Sequence, residues 1–289
     1  MHSRKIFLSL LDGFPSLKNI LIAIRDHKNT QISALKTPFG FRFAGPAAMT
    51  DGSFEEEETP IIQRLIAKND IFINIGANVG YYCCFAGMAG KPIIAFEPHS
   101  VNSRILLRNL EINGFSDNAE IYPTAVGAKN GILKLYGSGT AASLVDGWAG
   151  MSSENATLVP VVTLDGVLAG RFEDQSIFIL IDVEGAEYSV IQGAVATLKR
   201  NRKPWWMIEI CITDHQPAGV KINPHLLSTF DLLDASGYEM WTLSDTPRKI
   251  QREEVMKIEE TKVDTIKFHN FLCVDPSCVM EALEAIKRS

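Results

Sequence analysis

Residues 73 to 80 read Ile-Asn-Ile-Gly-Ala-Asn-Val-Gly, and the next apolar run, Pro92-Ile-Ile-Ala-Phe-Glu97, ends in an acid. An apolar strand that enters a Gly-rich turn, followed by a carboxylate on the tip of the next strand, restricts what the chain can fold into. It points to an open α/β sheet with a ligand at its carboxyl edge. The glycines let backbone amides approach a bound molecule closely. Glu97 is placed to accept hydrogen bonds from two ribose hydroxyls.

The spacing decides which adenosine-bearing cofactor is expected. A dinucleotide fingerprint that starts at Gly76 needs glycines at 78 and 81, where Asn78 and Tyr81 stand. The turn therefore lacks the bare backbone a pyrophosphate requires. S-adenosylmethionine has no phosphate and tolerates a side chain such as Asn78, so it is expected over NAD.

At 289 residues, the chain has room for one α/β domain with extensions. A net charge of −6 argues against nucleic acid as a partner. The five cysteines are scattered and lack C-x-x-C spacing, which suggests reduced thiols in a cytoplasmic protein and neither disulfides nor a zinc site. Cys83 and Cys84 are expected in the core. The apolar stretch after Lys5 breaks at Asp12-Gly13, and no transmembrane segment is expected.

Residues 1–69 read as an N-terminal helical extension and 70–289 as the main domain. Leu17, Ile20, Leu21 and Ile24 recur at helical spacing, so 16–26 is an amphipathic helix that can pack on the main domain, in a homodimer, or on a membrane surface. The acids Glu55 to Glu58 read as the solvated start of a helix. From Asp70 onward, strands at 71–75, 93–97, 120–123, 159–163, 177–182, 205–211, 238–243 and 271–274 alternate with helices. The helices fall at 80–90, from the N-cap Ser100 to Gly114, at 187–199, at 224–236 and from about 278. Asn130-Gly131 predicts a tight hairpin between 124–126 and 132–136. Residues 245–268 read as a polar surface excursion.

With these residues in view, the chain resembles the FkbM family of S-adenosylmethionine-dependent methyltransferases. The matching blocks are FINIGANVGYY (72–82), IIAFEPHSVN (93–102), NLEINGF (109–115) and TAVGAKNGILKLY (124–136). They continue, in family order, with ASLV (142–145), VPVVTLDGVL (159–168), IDVEGAEYSVIQGA (181–194) and PWWMIEI (204–210). The resemblance implies the class I methyltransferase (Rossmann-like) fold, with a seven-stranded, mostly parallel sheet whose last strand is antiparallel. It also implies O-methylation of a saccharide or secondary-metabolite hydroxyl. Two positions depart from the family pattern: Asn74 stands where Asp is usual, and Leu180 where Lys is usual. The alternative is a non-catalytic relative that binds the cofactor or a protein partner.

Cofactor contacts are expected from Asn74, Gly76, Ala77, Asn78, Gly80, Tyr81, Glu97, Pro98, His99, Val126 and Asp182. Methyl transfer needs positioning above all, and a poor hydroxyl nucleophile gains from a general base. Asp182, at the tip of a central strand, is the first candidate base; helix capping is its bland role. Glu184, Glu209 and His215 are further catalytic candidates, and Glu187 fits the first turn of a helix. No spacing suggests a metal. Residues 137–144, including Ser143, form a small-residue loop that can close over the site, and Trp148, Trp205 and Trp206 are candidate stacking surfaces for a sugar.

Overall fold

The computed structural model describes residues 32–151 and 156–287. The helix expected over 16–26 lies outside them. Seven strands make the main sheet: β1 (Ile71–Ile75), β2 (Ile93–Phe96), β3 (Ala119–Tyr122), β4 (Ile177–Ile181), β5 (Trp205–Glu209), β6 (Glu239–Thr242) and β7 (Asn270–Val274). Their spatial order is β3-β2-β1-β4-β5-β7-β6. The first five are parallel, and β7 runs antiparallel to both β5 and β6. This is the seven-stranded sheet that the resemblance implies. Strand order reverses between β1 and β4, and a crevice forms at the carboxyl ends of strands flanking such a switch point.

β1 and β4 are buried along their whole length, as strands covered on both faces must be. Phe72, Phe178, Leu180 and Met207 face one apolar layer, packed with α1 (Glu58–Lys68), α2 (Tyr81–Met88) and α3 (Ser100–Glu111). Ile73, Ile179, Ile181 and Ile208 face the other, packed with α4 (Glu187–Gln192), α5 (Leu226–Ala235) and α6 (Arg252–Thr261). The C-terminal α7 (Val279–Ile286) joins the first layer, where Arg64 Nε and Nη2 donate to the carbonyls of Ala285 and Ile286 at 2.6 Å each. Phe41, Phe43 and Met49 also belong to that layer, so the chain ahead of β1 shares the core of the sheet.

Four local expectations change. Residues Ala125–Val126 and Gly131–Leu135 do not form a hairpin with each other; both pair with Thr157–Val162, which lies between them. A strand remote in sequence wins because Val159 and Val161 bury Ala125 and Leu135. Asn130 instead accepts a hydrogen bond from the Thr163 amide at 2.9 Å. The helix expected over 187–199 breaks at Gly193, where a Cβ would stand 2.0 Å from the Gly127 carbonyl oxygen, leaving α4 and a short turn at Val195–Leu198. The polar excursion contains α6, anchored by buried Val255 and Ile258. Glu55 precedes its helix, is half-buried, and accepts a hydrogen bond from the Tyr82 hydroxyl.

Candidate functional site

β1 runs into the turn 76–80, whose two glycines adopt left-handed φ values of 86° and 84°. At Gly76 a Cβ would lie 1.7 Å from the carbonyl oxygen of Asp182, so only glycine lets the turn approach the tip of β4. The turn is fastened to the tip of β2 by Glu97. Its Oε2 accepts from the Asn78 amide at 2.7 Å and its Oε1 from the His99 amide at 2.8 Å. Glu97 is 5% exposed. Burial pushes its carboxyl up to about 7, against the pull of those two amides.

An open cleft of about 540 Å³ lies along this edge. Gly76, Asn78, Glu97, Pro98, Val126 and Asp182 line it, six of the eleven expected contacts. Its far wall comes from the loop after Gly131–Leu135, through Gly139, Thr140, Ala142 and Leu144. That loop is pinned: buried Ser143 donates its hydroxyl to the Glu184 carbonyl and pairs with Tyr136 across a backbone bridge. The other five expected contacts do not line the cleft. Ala77 and Gly80 shape the turn, and His99 caps α3 by accepting from the Asn102 amide at 3.4 Å. Tyr81 is enclosed by Phe39, Phe41, Phe43, Phe54 and Phe85. Asn74 is 2% exposed, donates to Cys83 Sγ at 3.7 Å, and has no partner for its Oδ1.

Beside the cleft the strand tips carry acids. Asp182 and Glu209 follow one step after the register pair Ile181–Ile208 on adjacent parallel strands, so both project to the same face. Burial and the neighbouring Glu209 hold Asp182 well above the usual carboxylate range. Burial and the charge of Glu55 push Glu209 up to about 8. Burial likewise carries Glu55 to about 7, with the Tyr82 hydrogen bond opposing. Glu187 accepts from the Gly185 amide at 2.8 Å and burial raises it to about 7. Glu184 accepts from the Trp148 indole at 2.7 Å. His215 is exposed, edge-on to Trp148, with Nδ1 4.0 Å from Cys211 Sγ.

The expected sugar-stacking tryptophans are core residues. Trp148 is sealed beneath Gly185, where a Cβ would meet its ring at 2.5 Å, and Trp205 and Trp206 are buried in the sheet. Among the described residues, no three His, Cys, Asp or Glu side chains are arranged to hold a metal ion.

The family model for the methyltransferase FkbM domain matches residues 74–240, more than half of the chain. This protein belongs to the FkbM methyltransferase family. Among solved structures, it is similar to a methyltransferase FkbM from Methylobacillus flagellatus KT, at 16% identity and a TM-score of 0.42. That match covers 71% of this chain and 43% of the other, so the chain spans under half the length of that relative. A SAM-dependent O-methyltransferase from Thermotoga maritima matches at 8% identity and a TM-score of 0.41, covering 84% of this chain and 77% of that one. No curated protein matches the chain in sequence.

In this member of the FkbM methyltransferase family, Thr124, Asn102 and Glu55 join the site without having been expected there. Thr124 and Asn102 line the cleft, and Thr124 opens the TAVG block, the one signal that pointed to it. Glu55 sits within an acidic run that carries no such signal. The open hydrogen-bonding positions fit an adenosine-bearing group. Asn78 Oδ1 and Thr124 Oγ1 are buried and without partners, and both residues line the cleft.

Proposed function

We propose that this methyltransferase uses S-adenosylmethionine and methylates a hydroxyl oxygen of a small molecule, of the saccharide or secondary-metabolite type. The clamp of Glu97 on the Asn78 and His99 amides carries the reading. It holds a phosphate-free turn against an acid that lines the cleft, which suits a ribose and offers nothing to a pyrophosphate. Glu97, Asn78, Thr124 and Pro98 would hold the nucleoside, and Gly76 and Asp182 would border the remainder of the cofactor. When bound, the cofactor supplies a methyl group on a sulfonium, an already activated leaving group.

The chain's own task is then to orient the acceptor and take its proton. Asp182 and Glu209 stand at the tips of adjacent strands, and burial with the charge of Glu209 raises the proton affinity of Asp182. Their raised proton affinity makes the ionised member of the pair a stronger base for a hydroxyl than an exposed carboxylate. The five unpaired cysteines suit a reducing, cytoplasmic setting.

Calorimetric titration with S-adenosylmethionine, with NAD as the control, tests the reading. Micromolar binding of the methyl donor that disappears in Glu97→Ala is expected. A folded protein that ignores the methyl donor, or that takes NAD in its place, would overturn it.

A further inference from the structure

A second, open cavity lies at the same carboxyl edge of the sheet. Its lining includes Glu57 and Glu58 at the start of α1, Asp245 after β6, and Phe268, His269 and Asn270 leading into β7. The strand register ties it to the acidic pair. Asn270 is the antiparallel partner of Glu209, and the Ile210 amide donates to the His269 carbonyl at 2.6 Å. Electrostatics ties it as well, since the Glu58 charge acts on both Glu55 and Glu209.

Two buried polar side chains at this surface have hydrogen-bonding capacity to spare. Asn270 is 5% exposed, yet its Oδ1 has no hydrogen-bond partner, and the Ser244 hydroxyl beside it is buried in the same condition. Leaving buried groups of this kind without a partner is costly. Phe268, 39% exposed, offers an aromatic face at the rim.

Charge decides the class of ligand. Glu57, Glu58 and Asp245 line the cavity. Lys267 is the one Lys or Arg among its described lining residues. An anionic acceptor would meet the Glu57, Glu58 and Asp245 carboxylates with Lys267 to offset only part of their charge. A protonated amine would be stabilised by the carboxylates and by the Phe268 ring, and hydroxyl and ammonium protons would satisfy Asn270.

We propose that this cavity is the acceptor subsite and that it selects a hydroxyl-rich acceptor carrying a protonated amine, chemically an amino sugar. The assignment rests on the methyltransferase reading for its reaction and on the cavity alone for its charge preference. The acceptor's amine sits among Glu57, Glu58 and Asp245, and a hydroxyl of the same molecule reaches Asp182 and Glu209.

The test is calorimetry on the full chain with three probes: a glucosamine trimer, cellotriose and a galacturonic acid trimer. Each is run at low and high salt, beside a separate titration with S-adenosylmethionine. The glucosamine trimer should bind about tenfold more tightly than cellotriose, and the galacturonic acid trimer should not bind. High salt and the double variant Glu57→Gln/Glu58→Gln should erase the preference. The variant alters only partly or fully exposed side chains, and its affinity for S-adenosylmethionine should stay that of the parent. Equal binding of the two trimers, a preference that survives the double variant, or no trimer binding in a protein that takes the methyl donor would overturn the subsite. Failure to bind S-adenosylmethionine would instead remove the methyltransferase chemistry, while the trimer comparison would still decide the charge preference.

Discussion

Gly76 and Glu97 show how single residues set this site. At Gly76 a side chain would collide with the backbone of Asp182, and its φ of 86° is one that L-residues avoid. Gly76→Ala should therefore cost about 3 kcal/mol or more, read as a lower urea midpoint with an unchanged slope. An unaltered midpoint would show that the turn has room the structure denies. Glu97→Gln keeps the shape but gives only one oxygen to two backbone amides. It should lose about 1–3 kcal/mol of stability, and S-adenosylmethionine affinity should fall about tenfold, since a neutral amide replaces a charge-capable acceptor. Both residues were legible in the sequence because an apolar strand runs directly into each. Glu55 was not. Its place beside the strand tips depends on a left-handed backbone, φ 45°, and on a hydrogen bond from Tyr82, neither of which leaves a trace in residue spacing. Asn78, Glu184 and His215, also around the site, are left-handed non-glycine residues too, a concentration of backbone strain of the kind found where ligands bind.

At the scale of elements, the two departures from the family pattern turn out to be one. Asn74 on β1 and Leu180 on β4 are direct register partners, both buried on the same face. With the Asp and Lys that the family resemblance implies at these positions, opposite charges would stand about 5 Å apart across adjacent strands. This chain replaces both with neutral residues, so neither is left as an unpaired buried charge. Asn74→Asp alone and Leu180→Lys alone should each destabilise by about 3 kcal/mol or more, and the double variant should recover at least about 1 kcal/mol of the summed loss. A double-mutant cycle in urea measures the coupling, and strict additivity would show that the two sites are independent. The strands themselves were readable as apolar runs, since β1, β4 and β5 are covered on both faces. The pairing of Gly131–Leu135 was not, because Asn-Gly predicts a local turn while the partner strand is supplied by Thr157–Val162. The helix α6 was hidden by its charge: only Val255 and Ile258 turn inward from a run of Lys and Glu.

For the molecule as a whole, the carboxylates make stability depend on pH in a direction opposite to that of most proteins. Burial raises Glu55, Glu97 and Glu187 from 4.5 to about 7, and Glu209 to about 8. A group whose folded pKa exceeds its unfolded value binds its proton more tightly when folded, so the folded state is favoured where that proton is present. Between the unfolded value and the folded one, the native chain holds protons that the unfolded chain has released. Stability must then fall as pH rises through that interval, and the loss is complete above about pH 8. Asp275 works the other way, its carboxyl held at about 2 by the Ser277 hydroxyl and by Lys203, but both its folded and unfolded values lie far below pH 6, so it contributes nothing to the slope between pH 6 and 8. The apo protein should accordingly melt at a higher temperature at pH 6 than at pH 8, by a free-energy difference on the order of a few kcal/mol. Scanning calorimetry across that interval reads it directly. Glu209→Gln should flatten the slope, because it removes both a proton that the fold retains and a charge that its neighbours feel. A melting temperature that is level or rises toward pH 8 would mean that water or rearrangement relieves these acids, and that they do not carry the proton affinity on which the proposed base depends.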